Sequence, residues 1–209
     1  MNMKYLPIDS KLFTKNRAKF VAQMIPNSIA VFNSNDIFST GADSTLPFHQ
    51  HPNIFYLSGV DQEESILVLF PDAKNQKHKE ILFLKETNDH IAIWEGAKLN
   101  KLQATETSGV QTVYWLDEFE SVFEQLMSEA KTVYFNNNNH YRQAVEMETR
   151  EDRFIKTVKQ KFPNHKIEHN FPIMEVLRGV KEQEEIALIQ NACDITEKGF
   201  KRVLGFVKP

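Results

Sequence analysis

Apolar residues return at helical spacing through Phe13, Phe20, Val21 and Met24, with Arg17 on the same stripe, Asp9 or Ser10 as a cap and Pro26-Asn27 as a stop. This spacing predicts a first helix. The β-prone run Ser28 to Phe32 then predicts a strand that empties into a long polar loop beginning Asn33-Ser34-Asn35-Asp36. Three further runs, Ile54 to Leu57, Ser65 to Phe70 and Glu80 to Leu84, are separated by Ser58-Gly59 and by a lysine-rich turn from Pro71 to Lys79. They read as neighbouring antiparallel strands.

Helical spacing resumes from Lys98 to Glu106 and stops near Gly109; Val110 to Leu116 reads as a strand and Asp117 to Ser128 as a helix. A strand at Thr132 to Phe135 precedes four asparagines, 136 to 139, whose last members can cap a helix from Tyr141 to Lys161 closed by Pro163-Asn164. Lys166 to Asn170 is a short strand, and Pro172 opens a connector, Ile173 to Val180, with a domain boundary near residue 175. The alternation predicts an α/β fold with a mixed β-sheet flanked by helices.

The final segment is the most periodic, with Ile186, Ile189, Cys193, Thr196, Phe200 and Val203 on one stripe and Glu182, Glu184, Glu185, Lys198 and Lys201 elsewhere. It predicts an amphipathic helix of about six turns, acidic at its start and basic at its end, as the helix dipole favours. With nothing after Pro209 to meet that stripe, the expectation is an incomplete protein whose last helix docks on the same chain's sheet or on a second copy.

At 209 residues and 41% apolar content the chain suffices for one or two compact domains. Lys plus Arg number 25 and Asp plus Glu 28, for a net charge of −3, which lacks the basic excess of a nucleic-acid binder. The longest unbroken apolar run, Ile66 to Phe70, is far short of the ~20 residues of a membrane span, and the N-terminus has no signal-peptide layout. A soluble, cytoplasmic protein is expected, with no membrane partner. The single cysteine, Cys193, excludes an internal disulfide and any CxxC motif.

His49-Gln50-His51 offers two imidazoles that a strand would turn to one face, but no carboxylate or cysteine stands at ligand spacing, so they read as loop histidines. His165 and His169 have a helical zinc spacing in a segment that reads as a strand. The acidic run Glu146, Glu148, Glu151 and Asp152, interleaved with Arg142, Arg150 and Arg153, reads as a solvated helix face. No Ser-His-Asp order, P-loop, GxGxxG or HExxH occurs. Two segments remain: the polar loop Gly41 to Phe48, and Ile91-Ala92-Ile93-Trp94-Glu95-Gly96. An aromatic beside a glycine at a strand end can stand up as a contact residue. Taken alone, Trp94 reads as core.

Those segments and their surroundings resemble the N-terminal domain of aminopeptidase P, the Xaa-Pro aminopeptidase of the creatinase/prolidase or "pita-bread" superfamily. Arg17, Ser28-Ile29-Ala30-Val31-Phe32, Ala42-Asp43-Ser44, Pro47-Phe48, Gln50, Asn53 to Gly59 and Ser65 to Leu69 follow the family order, and Trp94-Glu95-Gly96 looks like its Trp-x-Gly motif. Leu177-Arg178 and Lys181 to Ile189 resemble the linker and first helix of the catalytic domain, and Val207-Lys208-Pro209 the start of a Lys-Pro-Gly turn.

The resemblance implies a ribonuclease H-like α/β domain over residues 1–175, then over 176–209 the linker and first helix of a truncated catalytic domain. That catalytic domain would carry two divalent metals, typically manganese, on two Asp, one His and two Glu, all beyond Pro209. The 209 residues are therefore expected to be inactive alone, with no catalytic or metal-ligating residue and no cofactor of their own. Implied partners are the catalytic domain of the same chain, proline-containing peptides and further copies in a homo-oligomer. The resemblance further implies substrate contact by Trp94, reaching a neighbouring subunit's site, and an interdomain role for Asp43, holding an arginine of the catalytic domain. Where the family motif commonly continues with arginine, Ala97 and Lys98 follow Gly96, so that arginine's bidentate contact is not expected here.

A rival reading is a non-catalytic peptide-binding or assembly module of a creatinase-fold pseudo-enzyme. A ribonuclease H-type nuclease would need carboxylates clustered on adjoining strands, and the strand segments are nearly free of them.

Overall fold

The structure, a computed structural model, describes residues 7–137 and 147–208. The chain divides into two compact units, Met1–Met174 and Glu175–Pro209.

The first unit is built on a six-stranded sheet in the order β4-β3-β2-β1-β5-β6. Its strands are β1 (Ser28–Asn33), β2 (Ile66–Leu69), β3 (Glu80–Leu84), β4 (Thr112–Trp115), β5 (Thr132–Phe135) and β6 (Lys166–His169). β2 runs antiparallel to both β1 and β3, whereas β3–β4, β1–β5 and β5–β6 pair in parallel. One reversed strand among parallel neighbours is the expected ribonuclease H-like arrangement. β1, β2 and β5 are buried along their whole length, as strands covered by helices on both faces must be.

Alternation along these strands separates two cores. Ile29, Val31, Val68, Phe83, Val133 and Phe135 point to a cluster completed by α5 (Phe119–Glu129) and α6 (Arg150–Lys161). This core is phenylalanine-rich: Phe119 stacks on Phe123 at 5.2 Å, and Phe83 and Phe135 meet Phe119 and Phe154 edge-on. On the other face Phe32 meets Phe20 of α1 (Ser10–Val21) at 5.2 Å. There α1 packs with α2 (Pro52–Ser58) and α4 (Lys101–Ser108).

Four sequence expectations are corrected. The run Ile54 to Leu57 is not a strand but lies in α2, with His51 as N-cap, Pro52 opening the helix and Gly59 closing it at φ 69°. Its buried residues Asn53, Ile54, Leu57 and Ser58 have helical spacing. Ile91 to Glu95 is not a strand end but most of α3 (Asp89–Glu95), capped by the Asn88 side chain. The expected helix over 141–161 does not run through residues 147–149, which are not helical; α6 starts at Arg150, where Thr149 and Asp152 form a capping box, and the expected start at Tyr141 lies outside the described residues. Ile173 to Val180 is no connector, because Phe171–Gly179 forms α7, which tolerates Pro172 in its first turn.

In the second unit the expected long helix is present as α8 (Gln183–Phe206), with a capping box between Glu182 and Glu185. None of its residues is buried, including the apolar stripe.

Candidate functional site

β1 and β5 are parallel neighbours whose chains leave in opposite directions, β1 toward β2 and β5 toward β6. A crevice at the carboxyl ends of such a strand pair is where open α/β sheets hold ligands. Here a cleft of about 730 Å³ opens at that point. Asn33 and Ser34 end β1 into it, Asn136 and Asn137 end β5, and the first turn of α6 supplies Arg150 and Glu151. Phe38, Leu46, Pro47, Phe48 and Met147 give it an apolar wall.

The floor is a network of amides. Asn33 Nδ2 and the Asn136 backbone N–H donate to the two carboxylate oxygens of Glu151 at 2.7 and 2.8 Å. Asn136 Oδ1 accepts from Asn53 Nδ2 at 2.7 Å. His51 Nδ1 receives the Asn53 backbone N–H at 3.2 Å and lies 3.2 Å from Asn136 Nδ2, so it serves as an acceptor at the start of α2. Arg150 Nη1 donates to Ser34 Oγ at 3.0 Å, while its backbone N–H donates to Asp36. Burial pushes the Glu151 carboxyl up to about 7, against the two N–H donors, which favour the anion. Burial also lowers the Arg150 pKa, opposed by the charges of Glu64 and Asp36.

Asp43 lies beside the cleft without lining it. It sits at the tip of a small hairpin closed by the Ser39–Thr45 bridge, with the Thr40 N–H donating to the Ser44 carbonyl at 2.8 Å. The tip is exposed, and among the described residues no ion pair engages Asp43. At the hairpin's base, Gln50 Nε2 donates to the carbonyls of Val60 and Gln62, fixing the return of the loop toward β2.

Trp94 is 81% exposed and its neighbour Ile93 73%. α3 has no buried residue, so the core reading of Trp94 is overturned. The last residue of the helix is tied by charge: Glu95 pairs with Lys85 at 2.9 Å and lies 3.8 Å from Lys98, while Lys85 also pairs with Glu64 at 3.1 Å and Lys98 with Glu63. The hydrogen bond from Lys85 draws the Glu95 carboxyl below its ordinary range. Gly96 then turns the chain at φ 80°, a conformation that favours glycine. The other tryptophan, Trp115, is covered by Lys101 at 4.7 Å. Trp94 projects.

Asp43 and Trp94 thus lie on separate exposed elements, and neither lines the cleft. His49 and His51 occupy the cleft wall, in a loop and a helix cap. His165 Nε2 lies 2.8 Å from the Met127 carbonyl, and His169 is on β6. Among the described residues no three His, Cys, Asp or Glu side chains gather as metal ligands. Glu151 departs from the solvated-face reading, since its carboxylate turns inward. The signal in the sequence was the pair of asparagines, Asn33 and Asn136, that end buried strands with polar side chains in need of partners.

The sheet order and the helices on both faces define the class, a ribonuclease H-like α/β domain. Residues 13–134 match the family described as aminopeptidase P, N-terminal domain, and the chain belongs to that family. It is 26% identical over 204 residues to the Xaa-Pro aminopeptidase of Escherichia coli K12, covering 97% of this chain and 46% of that protein. It is 24% identical to human Xaa-Pro aminopeptidase 3, covering 91% of this chain and 37% of that one. A solved structure from Bacillus anthracis, assigned to aminopeptidase P, superimposes with a TM-score of 0.83 at 25% identity, covering 92% of this chain and 46% of that one. A zinc-substituted E. coli aminopeptidase P in complex with product shares the fold at a TM-score of 0.75 and 24% identity, covering 91% and 43%. The chain spans less than half the length of these relatives.

Proposed function

We propose that residues 1–175 form the N-terminal domain of a metal-dependent Xaa-Pro aminopeptidase and that residues 176–209 form the linker and first helix of its catalytic domain. The observation that carries the reading is Trp94, an indole 81% exposed on a helix without buried residues, within a chain of this family. In the proposed assembly Trp94 covers the apolar ring of proline or the residue after it, on a neighbouring subunit of a homo-oligomer. Asp43, exposed at its hairpin tip, holds an arginine of the catalytic domain by a charge-assisted hydrogen bond.

The metals, proposed to be two manganese ions, would supply Lewis-acid activation of water for hydrolysis. The described residues do not fit them, since no cluster of three candidate ligands exists there. That chemistry is assigned to the catalytic domain, while this chain's residues orient the substrate. A cytoplasmic location accords with a single, unbridged cysteine, Cys193, and no helix among the described residues is long and apolar enough to cross a membrane.

The test compares the full-length protein with the 209-residue chain on a Xaa-Pro-Xaa tripeptide, each supplied with manganese. Release of the first residue by the full-length protein only is expected. Cleavage by the 209 residues alone, or none by the full-length protein with any divalent metal, would overturn the reading.

A further inference from the structure

The cleft at the ends of β1 and β5 is not used by the proposed peptidase chemistry, and its charges are unevenly matched. Asp36 accepts from the Arg150 backbone N–H and pairs with Arg153. Asp152 is engaged by Thr149, through both its hydroxyl and its backbone N–H. Two charged groups remain. Glu151 receives two N–H donors, and among the described residues no cation forms an ion pair with it. Arg150 places Nη1 on the Ser34 hydroxyl, and among the described residues no carboxylate forms an ion pair with its guanidinium. These opposite charges are adjacent in sequence, on the first turn of α6, and line one cleft.

The charges of Glu64 and Asp36 act on Arg150, and that of Arg150 on Glu151, without a direct ion pair; a ligand that brings a counter-ion into contact lowers the remaining cost of each half-buried charge. A simple anion would answer Arg150 but face Glu151; a simple cation would do the reverse. A ligand with one charge of each sign satisfies both. The lining also includes Phe38, Leu46, Phe48 and Met147, which call for an apolar group beside those charges. The floor of Asn33, Ser34 and Asn136 is 2 to 3% exposed, so the polar groups beneath the ligand are fixed in advance.

We propose that this cleft binds a small zwitterion with an apolar side chain, a free aliphatic or aromatic amino acid, with its carboxylate toward Arg150 and its ammonium toward Glu151. The site does not depend on the peptidase reading. Its volume, about 730 Å³, is within the range of about 300–1,000 Å³ of small-molecule sites and leaves room for bridging water.

The test uses full-length protein stripped of divalent metal, so that binding at a catalytic metal centre does not contribute. L-leucine, L-leucinamide and N-acetyl-L-leucine are titrated by calorimetry. Saturable binding of leucine is expected, with the amide and the acetyl derivative each at least tenfold weaker. Glu151→Gln should abolish the preference for leucine over N-acetyl-leucine. Leu46→Asp, at an exposed position on the apolar wall, should weaken leucine at least fivefold with the fold intact by circular dichroism. No binding of leucine by folded protein, equal binding of the three compounds, or a leucine affinity unchanged in both variants would overturn the proposal. Loss of peptidase activity in the metal-loaded protein would not, so the two readings fail separately.

Discussion

Arg17, with no exposed surface, donates from Nε to Glu80 Oε2 at 2.9 Å, joining α1 to the first residue of β3. The same guanidinium donates from Nη1 to the carbonyls of Leu57 and Ser108, both at 2.8 Å, and so also fastens the ends of α2 and α4. Burial lowers the Arg17 pKa, and the charge and hydrogen bond of Glu80 oppose that shift. Arginine remains charged in any case.

Glu80 is 34% exposed, so the loss on removing Arg17 comes chiefly from the buried carbonyls of Leu57 and Ser108 left without a donor, about 1–3 kcal/mol each. Arg17→Ala is therefore expected to lower the midpoint of thermal unfolding by about 10 °C. Arg17→Lys should recover only part, since one ammonium cannot present the planar fork that reaches these acceptors. Calorimetric unfolding of both variants checks this, and a shift of a degree or two for Arg17→Ala would contradict it.

Gly59 closes α2 at φ 69°, and a Cβ there would stand 2.2 Å from Phe13 Cε2. Gly59→Ala combines a strained backbone with an overpacked ring and should cost about 2 kcal/mol. Urea denaturation reads the loss directly; a neutral result would mean that Phe13 moves aside freely.

Glu151 predicts a pH dependence. Its carboxyl, raised from the ordinary 4.5 to about 7, binds a proton in the folded protein that the unfolded chain has already released. Stability should therefore fall as pH rises from 4.5 to 7 and then level off, by an amount on the order of 3 kcal/mol at most. Glu151→Gln should flatten that part of the curve. Parallel urea midpoints for wild type and variant between pH 5 and pH 8 would contradict it.

Asp43→Asn, in the full-length protein, keeps the size of the side chain and removes the charge proposed to hold an arginine. We expect kcat/KM to fall about tenfold, as for a lost charge-assisted hydrogen bond, with metal content unchanged. Metal analysis alongside kinetics distinguishes this from a ligand role, which loss of metal would indicate.

The sheet was legible because β1, β2, β3 and β5 are short apolar runs bounded by turn residues, and the matched boundaries of β3 and β5 show how little else such strands require. α2 was not, because Ile54, Phe55 and Tyr56 carry the side chains strands favour. His51-Pro52 at its start and Ser58-Gly59 at its end were the truer signals. α7 was hidden by Pro172, which breaks helix interiors but not first turns. The outward aim of Trp94 could not be read from composition, since it follows from α3 lying on the surface with no buried residue, tied at Glu95 to Lys85 and Lys98. Glu151 was obscured by the charged residues around it, although among the described residues of that acidic run it is the one whose carboxylate meets the ends of β1 and β5.

The most direct measurement is the kinetics of Trp94→Ala in the full-length protein, on an Xaa-Pro dipeptide and on a longer peptide with the same first two residues. A remote apolar contact should raise KM severalfold for the longer peptide and much less for the dipeptide, with kcat little changed. Identical constants for wild type and variant on both substrates would contradict a substrate-framing role for this indole.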